Sequence, residues 1–171
     1  MSDDRRAPLK VGAAQSGRVS FSLEPLDGRN FAFRYNVYAR TIKPYIDALL
    51  GWDEAQHVAN LRADLEQGPP LSIIVVGGER VGIVQIVETP DEISLWKIAI
   101  LPEYQGRGIG TAIVQSLIAR SQAAQKPVRL FVFQANRGAR RLYERLGFTV
   151  VSETDQDIEM AFTPRQVPAR G

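Results

Sequence analysis

From residue 98 to residue 118 the chain passes from an apolar stretch, Ile98-Ala99-Ile100-Leu101, through Pro102 into Gln105-Gly106-Arg107-Gly108-Ile109-Gly110. It then runs into an apolar stripe at helical spacing: Ile109, Ile113, Val114, Leu117 and Ile118. A strand that stops at a proline and a helix that opens on glycines leave several backbone N–H groups without partners at the helix N-terminus. Such a terminus attracts anions, and glycine lets a pyrophosphate approach amides that a Cβ would hold at a distance. A glycine-rich bend with no ligand is the bland alternative. A Walker loop needs Lys and then Ser or Thr after its glycines, whereas Thr111-Ala112 follows Gly110. The dinucleotide fingerprint needs another glycine spacing and an early βαβ unit.

The flanking patterns set the fold class. Residues 18–26 alternate through Val19, Phe21 and Leu23 and predict a strand. Residues 31–50 place Phe31, Tyr35, Tyr38, Ile42, Ile46 and Leu49 at helical spacing, with Pro44 predicting a kink or two short helices. Asp53 is placed to cap a helix reaching about residue 65. Strands at 71–76, 81–88 and 92–101 are joined by Gly77-Gly78 and Thr89-Pro90-Asp91, turn chemistry for an antiparallel meander. A strand at 128–133, a helix at 136–146 ending on Gly147, and strands at 148–153 and 158–162 complete an α/β chain with a mixed sheet.

At 171 residues, one domain is expected, over 18–163, with loose tails at 1–17 and 164–171. Hydrophobic residues make up 44% and charged residues 23%, a globular balance. No apolar run approaches the ~20 residues of a membrane span, so no membrane partner is expected. The acid-bearing N-terminus, Met1-Ser2-Asp3-Asp4-Arg5-Arg6, lacks a following signal-peptide core, which predicts a cytoplasmic protein. The absence of cysteine removes thiolate metal sites and cysteine nucleophiles, and the lone His57 makes a histidine metal site or hydrolase triad hard to build. No metal is expected. A net charge of +2 predicts no nucleic-acid partner. Arg137, Arg140 and Arg141 beside Asn136 suit a phosphorylated ligand, or form an ordinary solvated helix face.

Gln105-x-x-Gly108-x-Gly110, preceded by Ile98-Ala99-Ile100 and Pro102, resembles the pyrophosphate motif of the GCN5-related N-acetyltransferases (GNAT superfamily). Asn136, Ala139, Leu142-Tyr143-Glu144 and Leu146-Gly147-Phe148 are similar to the family's second signature, in the right order and at the right separation. The resemblance covers roughly residues 71–162. The resemblance implies a mixed, mostly antiparallel sheet of about six or seven strands flanked by helices, with a splayed V between the fourth and fifth. It also implies acetyl-CoA as cosubstrate. Its pantetheine would lie along Ile98, Ala99 and Ile100, with the Ile100 amide at the thioester oxygen. Its diphosphate would rest on Gln105, Gly106, Arg107, Gly108, Ile109, Gly110 and Thr111, with Asn136 and Arg140 nearby. Asn136 and Tyr143 lie seven residues apart, about two helical turns along one face. In the family the tyrosine protonates the leaving thiolate, and a phenol with pKa ~10 is protonated at neutral pH. Core packing is the alternative for Tyr143.

The family's known bases do not carry over: their positions hold Ser94 and Phe131. Glu88 is the preferred base, ahead of Glu92, with a water relay as the alternative. Tyr38, Trp52, Asp53 and Trp96 are candidates for the acceptor pocket, though core packing, or helix capping for Asp53, explains each as readily. The expected activity is transfer of acetyl from acetyl-CoA by direct attack of an amine, small-molecule or protein-borne, in a ternary complex. The rival is a catalytically silent acyl-CoA-binding sensor or interaction module. A homodimer through an exposed sheet edge is compatible with both.

Overall fold

The computed structural model describes residues 14–16, 19–50 and 53–165. Its strands are β1 (Ala14–Ser16), β2 (Val19–Pro25), β3 (Ser72–Val76), β4 (Glu79–Glu88), β5 (Ile93–Ile100), β6 (Val128–Phe133), β7 (Thr149–Glu153) and β8 (Asp157–Phe162). Its helices are α1 (Phe31–Thr41), α2 (Lys43–Leu50), α3 (Glu54–Gln67), α4 (Ile109–Ala124) and α5 (Arg137–Arg145). The interruption expected at Pro44 is the junction of α1 and α2. The proline sits in the first turn of α2, where its missing N–H leaves no helical bond unmade.

The strands form one sheet in the order β1-β2-β3-β4-β5-β6-β8-β7. All neighbours are antiparallel except β5 and β6. The expected mixed, mostly antiparallel architecture is present. The eighth strand is β1, which lies inside the stretch expected as a tail and pairs Ala14 with Phe21.

Each face carries its own core. On one face α4 and α5 cover Phe21, Ile74, Val84, Leu95, Leu130 and Met160. On the other, α1 contributes Val37 to a smaller cluster with Leu26, Ile73, Ile83, Ala99 and Leu101. Burying each of the larger apolar side chains stabilises the fold by about 1.5–3 kcal/mol, so a one-residue slip of a central strand would forfeit several such terms at once.

β5 feeds both cores through a bulge. Gln85 of β4 lies opposite Lys97, while Ile86 lies opposite Leu95, which leaves Trp96 as an extra, unpaired residue. The bulge shifts the alternation by one, so Ile93 and Leu95 join the larger core and Ala99 and Leu101 the smaller. β5 pairs with β6 only through Ile93 with Val128, Ser94 with Arg129 and Leu95 with Leu130. Past that point β5 runs on to Ile100 and β6 to Phe133 without further pairing to each other, and the two strands form the two arms of a V.

The open arm of β5 is held from behind by Gly82. A Cβ on Gly82 would lie 2.2 Å from the Ala99 carbonyl oxygen, a contact that forces the backbone to move. Gly82→Ala is therefore expected to destabilise the protein by about 1–3 kcal/mol, the usual range for overpacking. Thermal unfolding measures this, and an unchanged midpoint would contradict the close approach.

Candidate active site

The V exposes backbone of known orientation. The Leu101 N–H donates to the Val81 carbonyl at 2.9 Å, toward β4. Because N–H directions alternate along a strand, those of Ile98 and Ile100 face the gap instead. The side chains of Ile98 and Ile100 pack against the larger core. Ala99 is buried in the smaller one, so it offers the gap backbone only.

Beyond Ile100 a short turn leads to the glycine segment. Gly106 and Gly108 adopt φ of 72° and 80°, the left-handed region that glycine reaches without steric cost. No side chain caps α4. Its first helical bond runs from the Ala112 N–H to the Gly108 carbonyl at 2.9 Å, which leaves the amides of Ile109, Gly110 and Thr111 facing outward at the positive end of the helix. Gln105, expected at the phosphates, instead donates through Nε2 to the Ile100 carbonyl at 2.8 Å and ties the loop to the strand end. Arg107 is exposed, its guanidinium carbon 5.2 Å from the Tyr104 ring centroid. From α1, Arg40 grips Glu103 through two hydrogen bonds of 3.0 and 2.8 Å and braces the same turn.

α5 closes the other side. A Cβ on Gly110 would sit 3.6 Å from Ile100 Cδ1 and 3.7 Å from Leu142 Cδ2, so the start of α4, the end of β5 and the middle of α5 converge there. Asn136 caps α5, its Oδ1 accepting from the Ala139 N–H at 3.1 Å, which leaves its amide nitrogen for another partner. Tyr143 is 5% exposed and shares the larger core with Ile98, Ile100 and Ile109. Among the described residues its hydroxyl has no hydrogen-bond partner. Burial pushes that hydroxyl up to about 12, so it is a protonated donor throughout the neutral range. Gly147, at φ 92°, turns the chain so that the Phe148 N–H bonds the Tyr143 carbonyl at 3.0 Å, and the two rings pack 5.7 Å apart.

Other expected site residues fall elsewhere. Glu88 lies at the end of β4 remote from the open arm, paired with Ile93 where β5 and β6 are still joined. Its carboxylate is held by Arg120 at 2.5 Å and by Lys126 at 3.0 Å, at the far end of α4 from the glycines. The structure thus gives Glu88 an ion-pair role and does not bring it to Tyr143. Glu92 accepts from Ser94 Oγ at 2.7 Å and pairs with Arg129 at 3.1 Å. Arg140 is engaged with Glu144 at 2.9 Å and Glu153 at 3.6 Å, whereas the exposed Arg137 and Arg141 have no acidic partner among the described residues. Asp53 caps α3 by accepting from the Gln56 N–H at 3.0 Å. Tyr38 is half-buried on α1 beside His57, with ring centroids 6.2 Å apart, and burial raises its hydroxyl pKa. Trp52 lies outside the described residues.

Trp96 stands at the fork of the V with Phe131, the first residue past the fork on β6, and they are 57% and 66% exposed. Phe131 went unclaimed as a pocket residue in the sequence, although period two within 128–133 turns it away from the buried Leu130 and Val132. Gly82 was also readable, as a glycine inside a β-branched run. Lys97 carried no sequence signal.

The Acetyltransferase (GNAT) family matches residues 33–148, more than half of the chain. An uncharacterised N-acetyltransferase from Methanocaldococcus jannaschii is 33% identical over 81 residues, 43% of this chain and 36% of that protein. The [ribosomal protein bS18]-alanine N-acetyltransferase of Haemophilus influenzae is 35% identical over 75 residues, 44% of this chain and 48% of that protein. The matches thus span less than half the length of these two relatives. The crystal structure of the ribosomal-protein-S18-alanine N-acetyltransferase from Escherichia coli shares the fold at TM-score 0.61 and 23% identity, covering 88% of this chain and 99% of that one. The PaiA N-acetyltransferase of Thermoplasma acidophilum, solved in complex with coenzyme A, does so at TM-score 0.61 and 14% identity, with 84% and 99% covered. With the splayed strands, the glycine-opened helix and the tyrosine-bearing helix in one core, the chain belongs to the Acetyltransferase (GNAT) family.

Proposed function

We propose that this protein transfers acetyl from acetyl-CoA to an amine by direct attack in a ternary complex. The observation that carries the reading is the alignment of unpartnered amides: Ile98 and Ile100 along the open edge of β5, then Ile109, Gly110 and Thr111 at the head of α4. A linear ligand with amide carbonyls at one end and a diphosphate at the other fits that order, and coenzyme A has this constitution. The family match and the coenzyme A complex of a structural neighbour support the same choice. No metal enters the reading.

In this reading the Ile98 amide receives a pantetheine carbonyl and the Ile100 amide receives the thioester oxygen. The amine nitrogen bonds the acetyl carbon, the Ile100 N–H stabilises the charge that develops on oxygen, and the carbon–sulfur bond breaks as the amide forms. Tyr143 donates its proton to the departing sulfur, a role that needs a hydroxyl held protonated and free of other partners. Glu88 is locked elsewhere and both oxygens of Glu92 are engaged, so the acceptor ammonium loses one proton to water before it attacks, and the proton that the nitrogen sheds as the amide forms returns through water to the Tyr143 oxygen. Asn136 offers its amide nitrogen to the pantetheine arm, and Arg137 and Arg141, more than the acid-bound Arg140, are placed to meet phosphate charge. Trp96 and Phe131 flank the acceptor's approach, with Tyr38 beyond them on α1.

Three outcomes test this. Tyr143→Phe should lower kcat by about a hundredfold or more while the acetyl-CoA dissociation constant stays unchanged, read from thiol release and calorimetry. If acetyl-CoA binds the native protein and no amine in a broad panel accelerates thiol release, the silent-sensor reading replaces the enzyme. Thr111→Pro removes one of the outward amides at a first-turn position where no helical bond is lost, so the protein should stay folded by circular dichroism while acetyl-CoA binding weakens at least tenfold. Undiminished affinity would move the site. The raised Tyr143 pKa also sets an alkaline limit. Its contribution to stability is intact below pH 10 and lost as pH climbs toward about 12, so Tyr143→Phe should lose less stability over that window than the native chain.

A further inference from the structure

Behind the open arm of β5, on the face that carries α1 and α3, lies a charged cluster with an unequal count of signs. Arg34 of α1 is 1% exposed, donates to the Leu61 carbonyl at 2.6 Å and pairs with Asp64 of α3. Lys97 of β5 shares that carboxylate at a longer distance, 3.7 Å, with its side chain 25% exposed. Among the described residues Asp64 is its one ionic partner, so the cluster holds two cations against one anion. Burial pushes the Lys97 ammonium below its ordinary pKa, Asp64 works against that shift, and the Arg34 charge adds to it. A half-buried cation with a distant, already-paired carboxylate is poorly compensated. A second anion beside Lys97 would balance the cluster.

Position says where that anion comes from. Lys97 lies between the bulge residue Trp96 and Ile98, the first residue of the open arm whose amide faces the gap. Alternation puts its side chain on the face of Ala99 and Leu101, the α1 face, opposite the face where α4 offers its amides. We infer that the acceptor is an amine that also bears a carboxylate, and that Lys97 binds this carboxylate while the amine enters the fork. The inference rests on the acetyltransferase reading and names its substrate class. Arg34 acts behind Lys97: it saturates Asp64, which leaves the lysine charge for the ligand.

The test uses the full chain loaded with CoA and titrated calorimetrically with amino acids, each compared with its carboxamide and with its decarboxylated amine. A carboxylated amine should bind at least about tenfold more tightly than its two counterparts. Lys97→Met should abolish that preference and Lys97→Arg should restore it. Asp64 keeps its Arg34 partner in both variants, and circular dichroism checks that each is folded. Equal affinity for carboxylate and carboxamide, a preference that survives Lys97→Met, or no binding of any carboxylated amine to CoA-loaded protein would each overturn the inference. Failure of CoA itself to bind would sink the acetyltransferase reading, and this one with it.

Discussion

Three residue pairs hold β5 to β6, and the end of that pairing organises the rest of the site. A strand in the middle of a sheet ordinarily spends every amide on its neighbours, and a buried amide left alone costs about 1–3 kcal/mol. Here the bulge at Trp96 turns β5 away from β6 after Leu95, so the amides of Ile98 and Ile100 face a gap between two arms of the sheet. The fold tolerates the opening because the other edge of β5 stays paired with β4 as far as Ile100, against a glycine that lets the backbones approach.

The parts that surround the opening are fixed by contacts to both backbone and side chains. Gln105 ties the glycine loop to the last residue of β5, and Arg40 holds Glu103 from the opposite face. Asn136 starts α5 and the Gly147 turn ends it, so Tyr143 is held at both ends of a nine-residue helix and has Phe148 against its ring. Such bracing places donors before any ligand arrives, which is what stabilisation of a developing charge requires. The motif residues thus divide in two: Gly106, Gly108 and Gly110 shape the bend into α4, whereas Gln105 ties that bend to β5.

Much of this was legible in the sequence because local chemistry dictated it. Period-two runs with glycine turns gave the meander, Pro44 gave the break between α1 and α2, and the glycines before Ile109 marked an open helix end. Neither the bulge at Trp96 nor the short β5–β6 register could be read, since both depend on pairing partners far apart in the chain. The ion-paired setting of Glu88 was hidden for the same reason. Its partners Arg120 and Lys126 lie more than thirty residues away and meet it only through the packing of α4 on the sheet. Arg140 looked like a phosphate ligand within its arginine cluster, yet Glu144, one turn on, was the competing partner already written in the sequence. The charge imbalance around Lys97 is a purely tertiary fact, assembled from α1, α3 and β5.

The two faces of the sheet therefore present different chemistry at one opening: unpaired amides of α4 and β5 on one side, aromatic and cationic side chains on the other. If acetyl-CoA is held by the free amides of the V and of the α4 N-terminus, residue-resolved hydrogen exchange with saturating acetyl-CoA will show new protection at Ile98, Ile100 and residues 109–111 together, with the amides of β3 and α3 unchanged. Protection confined to other segments, or none at saturation, would rule that placement out.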